Sequence, residues 1–314
     1  MFLWTGHSFA QPYPTYPTRS ITVIVPFAPG GPVDTLARPV AASMAKTLKQ
    51  PLLVENVGGA SGNIGVARAA KAAPDGYTLL VNHIGMATSP WLFRKLDFDP
   101  VADFETIGLI GDSTSMLVAR RDFPANDLKE FIAYVKANKD KLNFGSTGPS
   151  GGPPCALLFM NAIQTPILEV VFKSSALGMT EVIAGRVDMM CDSVLTATPH
   201  IKAGKVKAIG ATSKVRSRAL PDVPTLEEQG LAGFELANWM GIYAPKNTPR
   251  EARERLVAAL QAALRDPELI AVFDRLDFKT ASADQATPAG LALRLKSEID
   301  KWGAVFKKAG VQPE

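Results

Sequence analysis

Ile21-Thr22-Val23-Ile24-Val25-Pro26-Phe27-Ala28-Pro29-Gly30-Gly31-Pro32-Val33-Asp34 holds a strand, a break and a helix start in immediate succession. Residues 21–27 are β-branched and apolar, the composition of a strand buried in a sheet. Pro29-Gly30-Gly31 ends the run, because two glycines admit backbone conformations that other residues avoid. Pro32 suits the first position of a helix, and apolar residues recur at helical spacing from Val33 to Leu48. At such a junction the free N–H groups of the first turn and the positive end of the helix dipole suit an anion. A plain strand–helix turn is the competing reading of the stretch taken alone. Asp34 would oppose an anion if it faced the site, so it is expected to cap or complement its own helix.

The same grammar repeats outward. Leu52–Val57 and Tyr77–His83 read as strands, with a Gly-rich turn and a helix over Gly62–Ala72 between them. The pattern restarts near Met116–Phe123. Helices over Asp127–Asn138 and Pro153–Ala162 alternate with strands Leu142–Thr147, Ile167–Phe172, Val187–Ser193 and Val206–Thr212. Short helical pieces are expected at Thr180–Ala184 and Pro199–Ala203. Beyond the strand Phe234–Ala244 only helices are expected: Pro249–Arg265, Pro267–Leu276 and Pro288–Ala309. The pattern predicts an α/β fold with a mainly parallel sheet. A helical tail without a sheet must pack its apolar stripe on the first unit, which makes that unit discontinuous. Two hinge crossings then fall near 120 and 240, the connectivity of two-lobed receptors that close on a ligand. The expected division is residues 1–18 as a signal remnant or tag and a tether, 19–121 plus 241–314 as domain one, and 122–240 as domain two.

Composition narrows the function classes. Of 314 residues, 46% are hydrophobic and 20% charged, and the net charge is +4. No run of like charge supports a nucleic-acid partner. No segment reaches the roughly 18 consecutive apolar residues of a membrane span. Met1–Trp4 is short and apolar, and Ser8-Phe9-Ala10 has the small-x-Ala form of a signal-peptidase site. Residues 1–10 are read as the stump of an export signal or an artefact of expression. Cys155 and Cys191 are the two cysteines. In an exported protein one bridge between them would contribute about 3–4 kcal/mol through loop entropy, and two unpaired thiols are the alternative.

A second Gly- and hydroxyl-rich loop, Gly145-Ser146-Thr147-Gly148-Pro149-Ser150-Gly151-Gly152, lies between a strand and a helix and could accept a carboxylate through amides and hydroxyls. It also fits the nucleophile elbow G-x-S-x-G at Ser150. A hydrolase would then need an acid and a histidine downstream. The available pair, Asp192 and His200, are only eight residues apart, and the loop is longer than an elbow's tight turn. Gly58–Gly65 misses the dinucleotide spacing and reads as a structural turn. The three histidines and two cysteines show no metal-ligand spacing, so no metal and no cofactor are expected. His83 ends a strand, on the edge where open α/β sheets bind ligands.

Taken in order, Pro26–Asp34, Gly62-Asn63-Ile64-Gly65, Pro74–Leu79, Asp103-Phe104, Gly145-Ser146, Gly185–Met190 and Leu220–Leu226 resemble the solute receptors of tripartite tricarboxylate transporters, the Bug receptor family. The resemblance runs from about Tyr16 to the C-terminus. It implies a type II periplasmic-binding-protein fold, two α/β lobes joined by a two-crossing hinge. It further implies a di- or tricarboxylate or aromatic acid in the interlobe cleft. Carried over, the first loop becomes a carboxylate grip made by Phe27, Ala28, Pro29, Gly30 and Gly31. The domain-two loop contributes Gly145, Ser146, Thr147 and Ser150, the strand-end acid is Asp192, and the loop after the third strand supplies His83 through Ser89, Met86 included. Four departures fall in domain two: Cys155 where the family often has histidine, a Gly148–Gly152 loop one residue longer, Cys191 where the family has an aromatic residue, and Phe172-Lys173-Ser174-Ser175 in place of its usual turn. Both cysteines thus stand at cleft-side positions, where a bridge or a thiol contact is expected.

The first expectation is therefore a periplasmic receptor and not an enzyme. It would be a monomer that hands a small carboxylate to the membrane permease subunits of a tripartite transporter. A receptor that must release its cargo is served by neutral dipoles better than by a buried arginine fork, and the candidate loops are poor in Lys and Arg. The alternatives are a ligand-presenting sensor subunit for a signalling partner and a serine hydrolase using Ser150.

Overall fold

In the computed structural model, which describes residues 16–147, 154–172 and 174–313, the opening run folds as strand β1, Ile21–Val25. Helix α1, Pro32–Leu48, follows with Gly31 in extended conformation at its N-cap and Pro32 in its first turn. Lys49 ends it in the left-handed region, its amide returning to the Ala45 carbonyl. The described residues form ten strands and ten α-helices. Residues 1–15, and with them the expected leader, lie outside the description.

The first sheet grows on both sides of β1. Strand β2, Leu52–Asn56, pairs parallel to it with Val23 opposite Val54. Strand β3, Thr78–His83, pairs parallel on the other side with Val23 opposite Leu79. Between β2 and β3 runs α2, Asn63–Ala70, shorter than the expected Gly62–Ala72. After β3 comes α3, Gly85–Leu92, where a loop was expected. Gly85 at its start and Pro90 inside it conceal the helical period.

Strand β4, Phe104–Arg120, corrects the expectation of a restart near residue 116. Phe104–Thr114 pairs antiparallel with strand β9, Ala237–Pro245, which itself pairs antiparallel with β3. Ser115–Arg120 instead pairs with strands β7, Met189–Ser193, and β8, Val206–Ala211. The first half of β4 is buried over consecutive residues, so it lacks the alternation that marks a strand with one wet face. The antiparallel contacts of β4 and β9 also make the sheet mixed where a mainly parallel one was expected.

The second sheet is completed by β5, Asn143–Ser146, parallel to both β7 and β6, Leu168–Val171. The helices on this side are α4 (Leu128–Asn138), α5 (Cys155–Ile163), α6 (Ser175–Ile183) and α7 (Val194–Lys202). Asp127 caps α4 by accepting from the Glu130 amide at 2.8 Å, and the Glu130 carboxylate accepts from the Asn126 amide at 2.8 Å. This reciprocal pair fixes the helix start. The strand order is β2-β1-β3-β9-β4-β7-β5-β6, with β8 and β10 added on β4.

The C-terminal segment returns to the first sheet. Helices α8 (Arg250–Ala263) and α9 (Pro267–Arg275) pack on α1, and α10 (Pro288–Lys308) packs on α3 and β4. Gly303 permits a close approach, since a Cβ there would stand 2.3 Å from the Trp91 ring. The Trp91 indole donates to the Ile299 carbonyl at 2.9 Å. The tail is not purely helical: Phe278–Thr280 forms β10 and pairs antiparallel with β4 at Gly111–Ser113. Three residues are too few for a period to show in sequence.

Candidate ligand-binding site

A cavity of about 360 Å³ lies where the C-terminal ends of strands from both sheets converge. Phe27 follows β1, His83 ends β3, Gly145-Ser146-Thr147 end and follow β5, and Asp192-Ser193 end β7; all line it. This is the edge of an α/β sheet at which ligands bind. From β4, where it passes between the sheets, and from the start of β9 beside it, Ser113, Ser115, Asn238 and Met240 complete the floor.

The first loop is held from behind. Asp34 is 3% exposed and its Oδ2 accepts from the Gly30 amide at 2.8 Å, while its Oδ1 accepts from Asn56 Nδ2 at 2.9 Å. Arg38 pairs with the same carboxylate at 2.8 Å. Burial pushes this carboxyl up, but the hydrogen bonds from Arg38, Gly30 and Asn56 win and hold it below the usual range. Asp34 thus complements its own loop, as expected, and its hydrogen bonds turn away from the cavity. The same bond uses up the Gly30 amide, and the Gly31 amide bonds the Ala28 carbonyl at 3.3 Å. Ala28, Pro29, Gly30 and Gly31 are not among the lining residues; Phe27, Pro32, Val33, Thr35 and Leu36 are. The first turn of α1, more than the glycines before it, therefore faces the cavity.

Phe27 is fixed by the segment read as a structural turn. A Cβ on Gly62 would stand 3.1 Å from the Phe27 ring, and one on Gly65 would stand 2.5 Å from the Val57 carbonyl and 2.8 Å from Pro26. Gly62-Asn63-Ile64-Gly65 is small where it must pass behind the loop. On its other side the Phe27 ring lies 4.7 Å from the His83 ring, centre to centre. His83 Nδ1 accepts from the Gly85 amide at 2.9 Å, which leaves the proton of the neutral ring on Nε2. Burial lowers the His83 pKa to about 4, so the ring is a neutral hydrogen-bond donor at neutral pH. Met86 is displaced from its expected role: it is fully buried on α3, packed in the core and absent from the cavity wall.

On the second sheet, Cys155 at the start of α5 and Cys191 on β7 form a disulfide with Cα atoms 6.1 Å apart, within the usual range for such bridges. Both line the cavity. Asp192 is 5% exposed; its Oδ1 accepts from the Ser193 amide at 2.7 Å, and its Oδ2 has no partner among the described residues. The Thr196 hydroxyl nearby donates to the Ser193 carbonyl at 3.0 Å. Burial raises the Asp192 pKa and outweighs the opposing Ser193 amide bond and the nearby Thr196 and Ser175 hydroxyls and His200. The Ser146 hydroxyl donates to Glu169 Oε1, and Glu169 joins the wall. Ser150 lies outside the described residues. Sequence reading missed Glu169, Ser113 and Asn238, none of which stands in a turn motif or at a strand end. Among the described residues no cluster of His, Cys, Asp or Glu is arranged to hold a metal ion.

Two α/β sheets sharing the strand β4, with a cavity between their C-terminal edges, define the fold of periplasmic binding proteins. The tripartite tricarboxylate transporter family receptor model matches residues 36–311, and the chain belongs to that family. A UPF0065 protein in the TAR-I ttuE-ttuC' intergenic region of Agrobacterium vitis is 43% identical over 302 residues, covering 96% of this chain and 87% of that one. The periplasmic binding protein BugD superposes with a TM-score of 0.83 at 39% identity, covering 95% of this chain and 100% of that one. MatC from Rhodopseudomonas palustris, solved with bound malate, gives 0.81 at 38% identity, covering 92% and 99%.

Proposed function

We propose that this chain is an extracytoplasmic solute receptor that binds a small carboxylate in the cavity between its two sheets and delivers it to the membrane subunits of a tripartite transporter. The observation that carries the reading is the cavity itself: residues from the C-terminal ends of β1, β3, β5 and β7 meet around about 360 Å³, a volume suited to a small acid. Its donors are neutral. The His83 Nε2 proton, the first turn of α1 and Ser115 border the space, and the described wall contains no lysine or arginine. Such a site holds an anion by dipoles and releases it without breaking a buried ion pair.

The lobes in this reading meet where β4 changes sheet at Thr114–Ser115 and where the chain re-enters the first sheet at β9. Closure turns on these two connections, and the helical C-terminal segment moves with the first lobe. The ligand is a binding partner and not a substrate. Malate in the MatC complex supports a carboxylate of this size.

Thermal melting against a panel of mono-, di- and tricarboxylates tests the proposal. A ligand at one hundred times its Kd adds about 2.7 kcal/mol to the folded state, which moves Tm upward by several degrees. A panel that leaves Tm flat contradicts a carboxylate receptor.

A further inference from the structure

The charged groups of the cavity wall are unevenly placed. On the first sheet's side stand donors: the first turn of α1 and the His83 Nε2 proton. On the second sheet's side stand two acids, Asp192 and Glu169, and no basic side chain of the described residues lines the cavity opposite them. Lys173 lies outside the described residues. Asp192 is 5% exposed and lines the cavity, and its enclosed Oδ2 is without a hydrogen-bond partner among the described residues. A buried acceptor left unpaired is costly, and a ligand donor is what would satisfy it. Helices α5, α6 and α7 also begin at this edge. Each N-terminus carries roughly half a positive charge, which moderates two carboxylates without reversing their sign.

From this asymmetry we infer that the ligand is a zwitterion: a carboxylate held by the α1 and His83 side, with a cationic nitrogen at its far end hydrogen-bonded to Asp192 Oδ2 and facing Glu169. The inference rests on the receptor reading and narrows it from small carboxylates to amino-terminated ones. A second carboxylate in the same place would meet like charge across a desolvated gap. A cationic nitrogen there completes the acceptor and balances the acids. The acid pair also explains why the Ser146 hydroxyl points to Glu169 and not into the cavity as a ligand donor.

The test uses probes matched in length, differing only in the far group: γ-aminobutyrate against succinate, aminovalerate against glutarate, and aminocaproate against adipate. Calorimetric titrations at neutral pH are run on the wild type and on Asp192→Asn and Glu169→Gln. At the best-fitting length, the amino acid is expected to bind about tenfold or more tightly than its diacid partner. That preference falls toward parity in Asp192→Asn and is reduced in Glu169→Gln, with the melting temperatures of the ligand-free variants reported beside the affinities. Diacids binding as tightly as or more tightly than their partners overturn the zwitterion and leave the carboxylate receptor standing. A preference that survives both substitutions overturns the role of the two acids. Failure of both series to bind overturns this inference, whereas the receptor reading falls only if the broader carboxylate panel also leaves Tm flat.

Discussion

His83 concentrates the chemistry of the first lobe in one side chain. Its ring packs on Phe27, its Nδ1 is occupied by the Gly85 amide, and burial brings its pKa down to about 4. In the unfolded chain the imidazole titrates near its ordinary value of about 6.5. Between those two values the unfolded state binds the extra proton, so stability is full above pH 6.5 and declines as pH falls toward 4. The loss is on the order of 3 kcal/mol. Asparagine can keep the acceptor for Gly85 without titrating. Urea unfolding at pH 7 and pH 4 is therefore expected to show a larger loss for the wild type than for His83→Asn; parallel losses would contradict a neutral buried imidazole. The position of His83 was legible because a strand-end residue before a break falls on the binding edge. Asp192 was legible only through the family frame. Glu169 and Asn238 were not legible from either source. Glu169 stands within β6 and Asn238 within β9, and only tertiary pairing brings them to the cavity.

At the scale of elements, the strand β1, the turn and helix α1 could be read directly, because composition, breaker and helical period agree there. Helix α3 and the first half of β4 could not: one carries Gly and Pro against its period, and the other is buried on both faces without alternation. The disulfide lay between these cases. Spacing left it open, and only the fold brings α5 against β7. The Gly62–Gly65 turn shows what an element-level constraint costs to break. A methyl group at Gly65 would collide with backbone and ring atoms at 2.5–2.9 Å, whereas one at Gly185 would meet nothing within 4 Å and only strain a φ of +74°. Gly65→Ala is expected to lower the unfolding free energy by about 3 kcal/mol, at the upper end of overpacking costs, and to loosen the support of Phe27. Gly185→Ala should cost about 1 kcal/mol. Equal urea midpoints for the two variants would contradict the close packing behind the loop.

For the molecule as a whole, two strands do most of the organising. β4 belongs to both sheets, and β9 returns the chain to the first, so the cavity sits where both sheets present their C-terminal edges. The alternating pattern predicted two α/β units and a returning helical tail, and the tail does pack on α1, α3 and β4. What the pattern could not supply is the mixed strand order, because antiparallel pairing between distant segments leaves no local trace. The central claim is that a small carboxylate occupies this cavity against Phe27. Calorimetric titration of the wild type and of Phe27→Ala, using the acid or amino acid that raises Tm most, tests it directly. One saturable site is expected in the wild type, weakened about tenfold in Phe27→Ala by the loss of the apolar wall. Absence of saturable binding by any of these acids, or an unchanged Kd in the variant, would contradict it.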